Sequence, residues 1–135
     1  MDLVALAAQL EAHEGLRLKP YKDSVGKLTI GVGRNLDDVG ISEAEARVML
    51  WNDMQRTLSD CRGFAWFDRL TAARKMVVAD MVFNLGLAKF RGFKRMIAAM
   101  EAGDYEAAVA EMAASRWAHQ VGRRAHRLMD MMLHG

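Results

Sequence analysis

The chain has 135 residues, 52% of them apolar and 27% charged, with a formal net charge of +2 and a single cysteine, Cys61. That composition suits one folded domain with a real core and excludes a disordered chain, an internal disulfide and, with no run near the roughly 20 apolar residues a spanning helix needs, stable membrane insertion. The charge is uneven: residues 1–60 carry seven Lys/Arg against ten Asp/Glu, and residues 61–135 carry twelve against seven. A basic second half suits an anionic partner such as nucleic acid, a membrane surface or a wall polymer, although an ordinary solvated surface has the same charge.

In chain order, Leu3, Ala7, Leu10 and Glu14 share one face of a helix, which Gly15 ends. The first twelve residues contain Asp2 and Glu11 and no basic start, so no signal peptide is expected. Next come "LRLKPYKD", "SVG" and "KLTIGVG", two extended runs about a glycine-containing turn, which predict a β-hairpin. Pro20 suits its edge strand. "NLDDVG" reads as a loop. Ser42 with Glu45 three residues on is a capping box, opening a helix that runs to Leu58 or beyond and is long enough to join two lobes. From Asp68 the pattern is helical: to Gly86, then "FRGFKRMIAAMEAG" to Gly103, then "DYEAAVAEMAAS" from Asp104, then two basic segments from Ser115 to the end.

Most chemical motifs fail. His13, His119, His126 and His134 form no helix-spaced metal pair, and no metal or cofactor is expected. "GVGRNL" lacks the third glycine of a dinucleotide loop. The eleven methionines read mostly as core filler. Glu14 and Asp23 remain. Glycoside hydrolysis needs one protonated carboxyl and one that stays ionised. Glu14 extends an apolar face, whose burial would favour the neutral acid, and Asp23 lies between Lys22 and Lys27, which favour the charged form. Thr29, on the returning strand, has a hydroxyl suited to placing a water. Pairwise spacing alone favours a simpler reading, a helix-end glutamate and a turn aspartate.

The whole stretch "EGLRLKPYKDSVGKLTIGVG" closely resembles the active-site segment of phage-type lysozymes, glycoside hydrolase family 24: Glu-Gly-x-Arg-Leu, then Tyr-x-Asp, then Thr-Ile-Gly-x-Gly. "GISEAEARVML", "LTAARKMVVADMVFNLG", "GFKRM", "DYEAAVAEMAASRW" and "RRAHR" extend the resemblance over most of the chain. It implies an α+β, mainly helical fold in which a small hairpin lobe and a helical lobe are joined by a long helix with a cleft between them. Residues 13–60 would form the hairpin lobe and the bridging helix, and residues 1–12 and 61–135 the helical lobe of one domain.

The resemblance also implies roles. Glu14 matches the general acid, Asp23 the second carboxylate, and Thr29 the threonine that places water or product. Arg124 matches an arginine paired with the catalytic glutamate, with Arg123 the alternative one residue away. Phe83 and Asn84 match cleft positions that bind substrate, although Phe83 alone also reads as core. Arg116 and Trp117 match a buried structural pair. Arg34 stands where a larger member of the family carries a histidine of a stabilising His–Asp pair, and Ala110 where it has a polar cleft residue, which would weaken one sugar subsite. The loop after the hairpin is shorter and the last family segment is missing. The function implied is a monomeric endolysin that cleaves the β-1,4 bond between N-acetylmuramic acid and N-acetylglucosamine in peptidoglycan. It would bind no nucleic acid, wait in the host cytoplasm, and reach the wall through a holin pore. A lytic transglycosylase and a non-catalytic wall-binding protein are the alternatives.

Overall fold

The computed structural model describes residues 1–135 and is mainly helical, with eight α-helices and one three-stranded antiparallel sheet. This is the expected α+β class. The chain falls into two compact units, Met1–Met49 and Leu50–Gly135.

The first unit opens with helix α1, Leu3–Glu14. Asp2 caps it by accepting from the amides of Val4 and Ala5, and Gly15, at φ 77, ends it. The sheet follows: β1 Arg17–Lys22, β2 Leu28–Gly31 and β3 Arg34–Asn35, in the order β1-β2-β3. Tyr21 faces Thr29 across the first ladder, and Thr29 faces Asn35 across the second. Pro20 is on the edge strand, where the register between Arg17 and Tyr21 is irregular; its missing N–H costs no ladder bond there. The third strand was not apparent in the sequence: Asn35, expected in a loop, pairs with β2. Helix α2, Glu43–Arg62, starts in the first unit and runs on along the chain into the second; it opens with the expected capping box, in which the Glu45 amide donates to Ser42 Oγ and the Ser42 amide to Glu45 Oε1.

The second unit holds the core. A 3-10 turn, Phe67–Arg69, precedes α3, Ala72–Leu85. The helix expected from Asp68 thus begins four residues later, at the point where Thr71 accepts from the Arg74 amide. The single helix expected up to Gly103 is broken at Gly92–Phe93 into α4, Leu87–Arg91, and α5, Lys94–Ala102. Then come α6, Tyr105–Ala113, capped by Asp104, α7, Arg116–Val121, and α8, Arg123–His134. Helices α3 and α6 pack on α8, and α5 packs on α6. The core they share with α4, α7 and the segment before the 3-10 turn buries Trp66, Val77, Val78, Met81, Phe90, Met96, Met100, Met112, Trp117 and Met132. Five of the eleven methionines are fully buried, whereas Met49, Met54 and Met76 are exposed. In the first unit only Thr29 is buried. No helix of the chain is long and apolar enough to cross a membrane.

Candidate active site

Three of the expected site residues, Glu14, Asp23 and Thr29, lie in the first unit. Asp23 follows the last residue of β1. Its Oδ1 accepts from the amides of Val25 at 3.0 Å and Lys27 at 2.8 Å. Its own amide donates to the Lys27 carbonyl at 2.9 Å, and its carbonyl accepts from Gly26 at 3.0 Å. Aspartate is suited to this because its short side chain reaches backbone amides two to four residues ahead. Four bonds therefore fix the turn and the carboxylate rotamer together, and Oδ2 is left without a protein partner.

Thr29 sits on the central strand, 4% exposed, and its hydroxyl donates to the Lys27 carbonyl at 2.9 Å. Lys27 thus links the two residues: its amide binds the Asp23 carboxylate, and its carbonyl orients the Thr29 hydroxyl. With its proton committed, the Thr29 oxygen is available as an acceptor.

Glu14 is the last residue of α1. Its side chain lies so close to the β2–β3 turn that a Cβ placed on Gly33 would come 2.8 Å from Oε2. Within the first unit α1 buries none of its residues, Glu14 is exposed, and nothing in this unit covers the stripe of Leu3, Ala7 and Leu10. The sequence shows the stripe but not a surface to cover it.

Arg34 makes an ion pair of its own with Glu45, at the start of α2. Its two terminal nitrogens meet Glu45 Oε1 at 2.9 Å and Oε2 at 2.8 Å, and one of them donates to the Gly40 carbonyl at 3.2 Å. The Arg34 hydrogen bond, with help from the Ser42 amide and hydroxyl, holds the Glu45 carboxyl down to about 2. Sequence reasoning missed this partner, although Glu45 was already identified as a capping residue.

The remaining expected residues lie in the second unit. Arg124 meets Asp80 Oδ1 at 2.7 Å, so its ion pair is with Asp80, on α3, 44 residues earlier. Phe83 is 45% exposed and is not core. Asn84 accepts from the indole Nε1 of Trp117 at 2.9 Å, so its side-chain oxygen is engaged in holding a tryptophan that is 3% exposed. Trp117 is the buried structural residue expected, but Arg116 is exposed, a correction to the expected buried pair: α7 is a single short helix, and only its Trp117 face turns inward. Ala110 is exposed on α6.

Residues 11–130 match the phage lysozyme family. The chain belongs to the phage lysozyme family. The chain is similar to a probable T4-type lysozyme of Dictyostelium discoideum, 25% identical over 94% of this chain and 92% of the relative. A SAR-endolysin of Escherichia phage Mu is 30% identical over 87% of this chain and 68% of the relative. The pre-baseplate central spike protein Gp5 of Enterobacteria phage T4 is 29% identical over 98% of this chain, which spans only 28% of that protein's length. Family membership makes the chain a lysozyme-type hydrolase in class.

Proposed function

We propose that this phage lysozyme family member is an endolysin that hydrolyses the β-1,4 bond between N-acetylmuramic acid and N-acetylglucosamine in peptidoglycan. The observation that carries the reading is Asp23: a carboxylate pinned through one oxygen by two amides, with the other oxygen free, beside a buried threonine hydroxyl whose proton is already committed. In the proposed step, Glu14 gives its proton to the glycosidic oxygen as the bond from that oxygen to the anomeric carbon breaks. Asp23 Oδ2 takes a proton from water, and the water oxygen bonds to the anomeric carbon. Thr29 accepts a hydrogen bond from that water and orients it. The resemblance favours inversion at the anomeric carbon, with Asp23 as base rather than nucleophile.

The test is mass spectrometry of purified peptidoglycan after digestion. The reading expects reducing muramic ends, loss of turnover by a factor on the order of 10² or more in Glu14→Gln, and a comparable loss in Asp23→Asn. Anhydro ends with full activity in Asp23→Asn identify a transglycosylase, and intact sacculi identify a wall-binding protein. NMR of fresh product separates the two anomers and so decides inversion.

Peptidoglycan as substrate sets the place of action. The enzyme is proposed to stay in the host cytoplasm, as a monomer, until a holin opens the membrane, and then to act on the wall. Expressed alone it should leave cells intact, and added chloroform should clear them. Spontaneous lysis argues against that order of events. The spike-protein relative favours a second setting for the same chemistry, a wall-cutting module within a larger phage particle protein, and wall digestion by purified phage particles carrying the chain would reveal it.

A further inference from the structure

Gly33 joins β2 to β3 at φ +66, in the left-handed region that glycine adopts without strain. A Cβ there would lie 2.8 Å from Glu14 Oε2, 3.0 Å from Cδ and 3.1 Å from Cγ. Non-bonded atoms do not approach that closely, so the outer half of the Glu14 side chain occupies the space that any other residue at 33 would fill. Gly31, two residues earlier, has nearly the same conformation, φ +69, but a Cβ there meets nothing within 4 Å. Position 31 therefore calls for glycine on backbone grounds alone. Position 33 calls for it on backbone grounds too, and a side chain there would in addition push the exposed, flexible end of Glu14 out of its place.

The turn that carries Gly33 is itself fixed. Arg34, the next residue, pairs with Ile30 in the ladder. Its guanidinium grips both oxygens of Glu45 at the start of α2, and Glu45 is held in turn by the Ser42 amide. A two-pronged pair of this kind fixes direction as well as distance. We propose that Gly33 is a positioning residue for Glu14, forming the surface that sets where its carboxyl stands, and that the Arg34–Glu45 pair holds that surface in place. The proposal rests on the reading of Glu14 as the general acid.

The test compares Gly33→Ala with Gly31→Ala, which shares the backbone strain but not the encounter with Glu14. Soluble peptidoglycan fragments are the substrate, and kcat, KM, the pH profile of kcat and the melting temperature are read for each variant. Both variants should melt lower by similar amounts. Only Gly33→Ala should lose kcat, on the order of 10²-fold, with KM near the parent value, because a misplaced catalytic group costs turnover rather than binding. The alkaline limb of its kcat profile, set by the proton-donating acid, should move, while that of Gly31→Ala stays in place. Arg34→Gln, which loosens the turn without touching Glu14, should lose kcat roughly tenfold at unchanged KM.

Parent-like kcat and pH profile in folded Gly33→Ala, or an equal loss of kcat in Gly31→Ala, overturns the proposal. If Gly33→Ala does not fold, Arg34→Gln decides, and an unchanged kcat there overturns it. Glu14→Gln is run alongside: its full activity removes the general-acid reading itself. An inactive Glu14→Gln with a fully active Gly33→Ala removes only the positioning role.

Discussion

Asn84→Ala tests whether a residue that the family resemblance assigns to substrate has a structural task. The bond from Trp117 Nε1 to Asn84 Oδ1 is 2.9 Å, and the indole that donates it is 3% exposed. Removing the acceptor leaves a buried N–H unsatisfied, at a cost of about 1–3 kcal/mol. Asn84 itself is exposed, so water reaches its side of the bond and the loss falls near the lower end, about 1–1.5 kcal/mol. In a chain of this size 1 kcal/mol moves the melting temperature by roughly 3–5 °C. Thermal unfolding followed by far-UV circular dichroism should therefore place Asn84→Ala roughly 3–7 °C below the parent. Asn84→Asp keeps an acceptor at the same distance and should recover most of the difference. An alanine variant that melts with the parent, or an aspartate variant that melts as low as the alanine one, refutes the reasoning. A parent-like melting temperature with a raised KM in Asn84→Asp would show that Asn84 also touches substrate.

Three further outcomes are expected. Because Glu45 is held down to about 2, the stability it contributes is present above its ordinary value near 4.5 and is lost as pH falls towards 2, so the difference in melting temperature between parent and Glu45→Gln should shrink over that range; a difference constant with pH counts against the Arg34 pair. Cys61 is fully buried, and desolvation, aided by Asp60, pushes its thiol up to about 11, so a thiol reagent at pH 8 should react only after denaturation. Arg123→Gln with Arg127→Gln, on exposed positions of α8, should slow wall digestion at low salt and converge with the parent as salt rises, while a short uncharged chitooligosaccharide is cut at the parent rate; equal losses on both substrates at all salt concentrations would refute electrostatic steering.

Elements with local causes were legible in the sequence. Gly15, Gly86 and Gly103 end helices α1, α3 and α5 where expected, and Asp104 and the Ser42–Glu45 box begin α6 and α2. The hairpin was legible because alternation and a glycine turn lie within fifteen residues. Strand β3 was not, because a two-residue strand has no pattern of its own and exists only by pairing with β2. The break at Gly92–Phe93 was also missed, since the apolar spacing continues through it and packing decides where one helix stops and the next begins.

The candidate site divides in the same way. Glu14, Asp23 and Thr29 were named because one continuous stretch of the chain resembles the active-site segment of phage-type lysozymes; their types and spacing alone did not single them out. The two amides on Asp23 follow from that local sequence, since an aspartate at a turn binds amides two and four residues ahead. The partners of distant residues were decided by tertiary structure: Arg34 with Glu45, Arg124 with Asp80, Trp117 with Asn84 and, across nineteen residues, Gly33 with Glu14. By itself the sequence determined which groups are present and which backbone conformations they favour, because those are properties of neighbours along the chain. Which charge meets which, and which apolar stripe is covered, depended on surfaces assembled from segments far apart in sequence, and only the fold brings those within the few ångströms over which contacts and hydrogen bonds act.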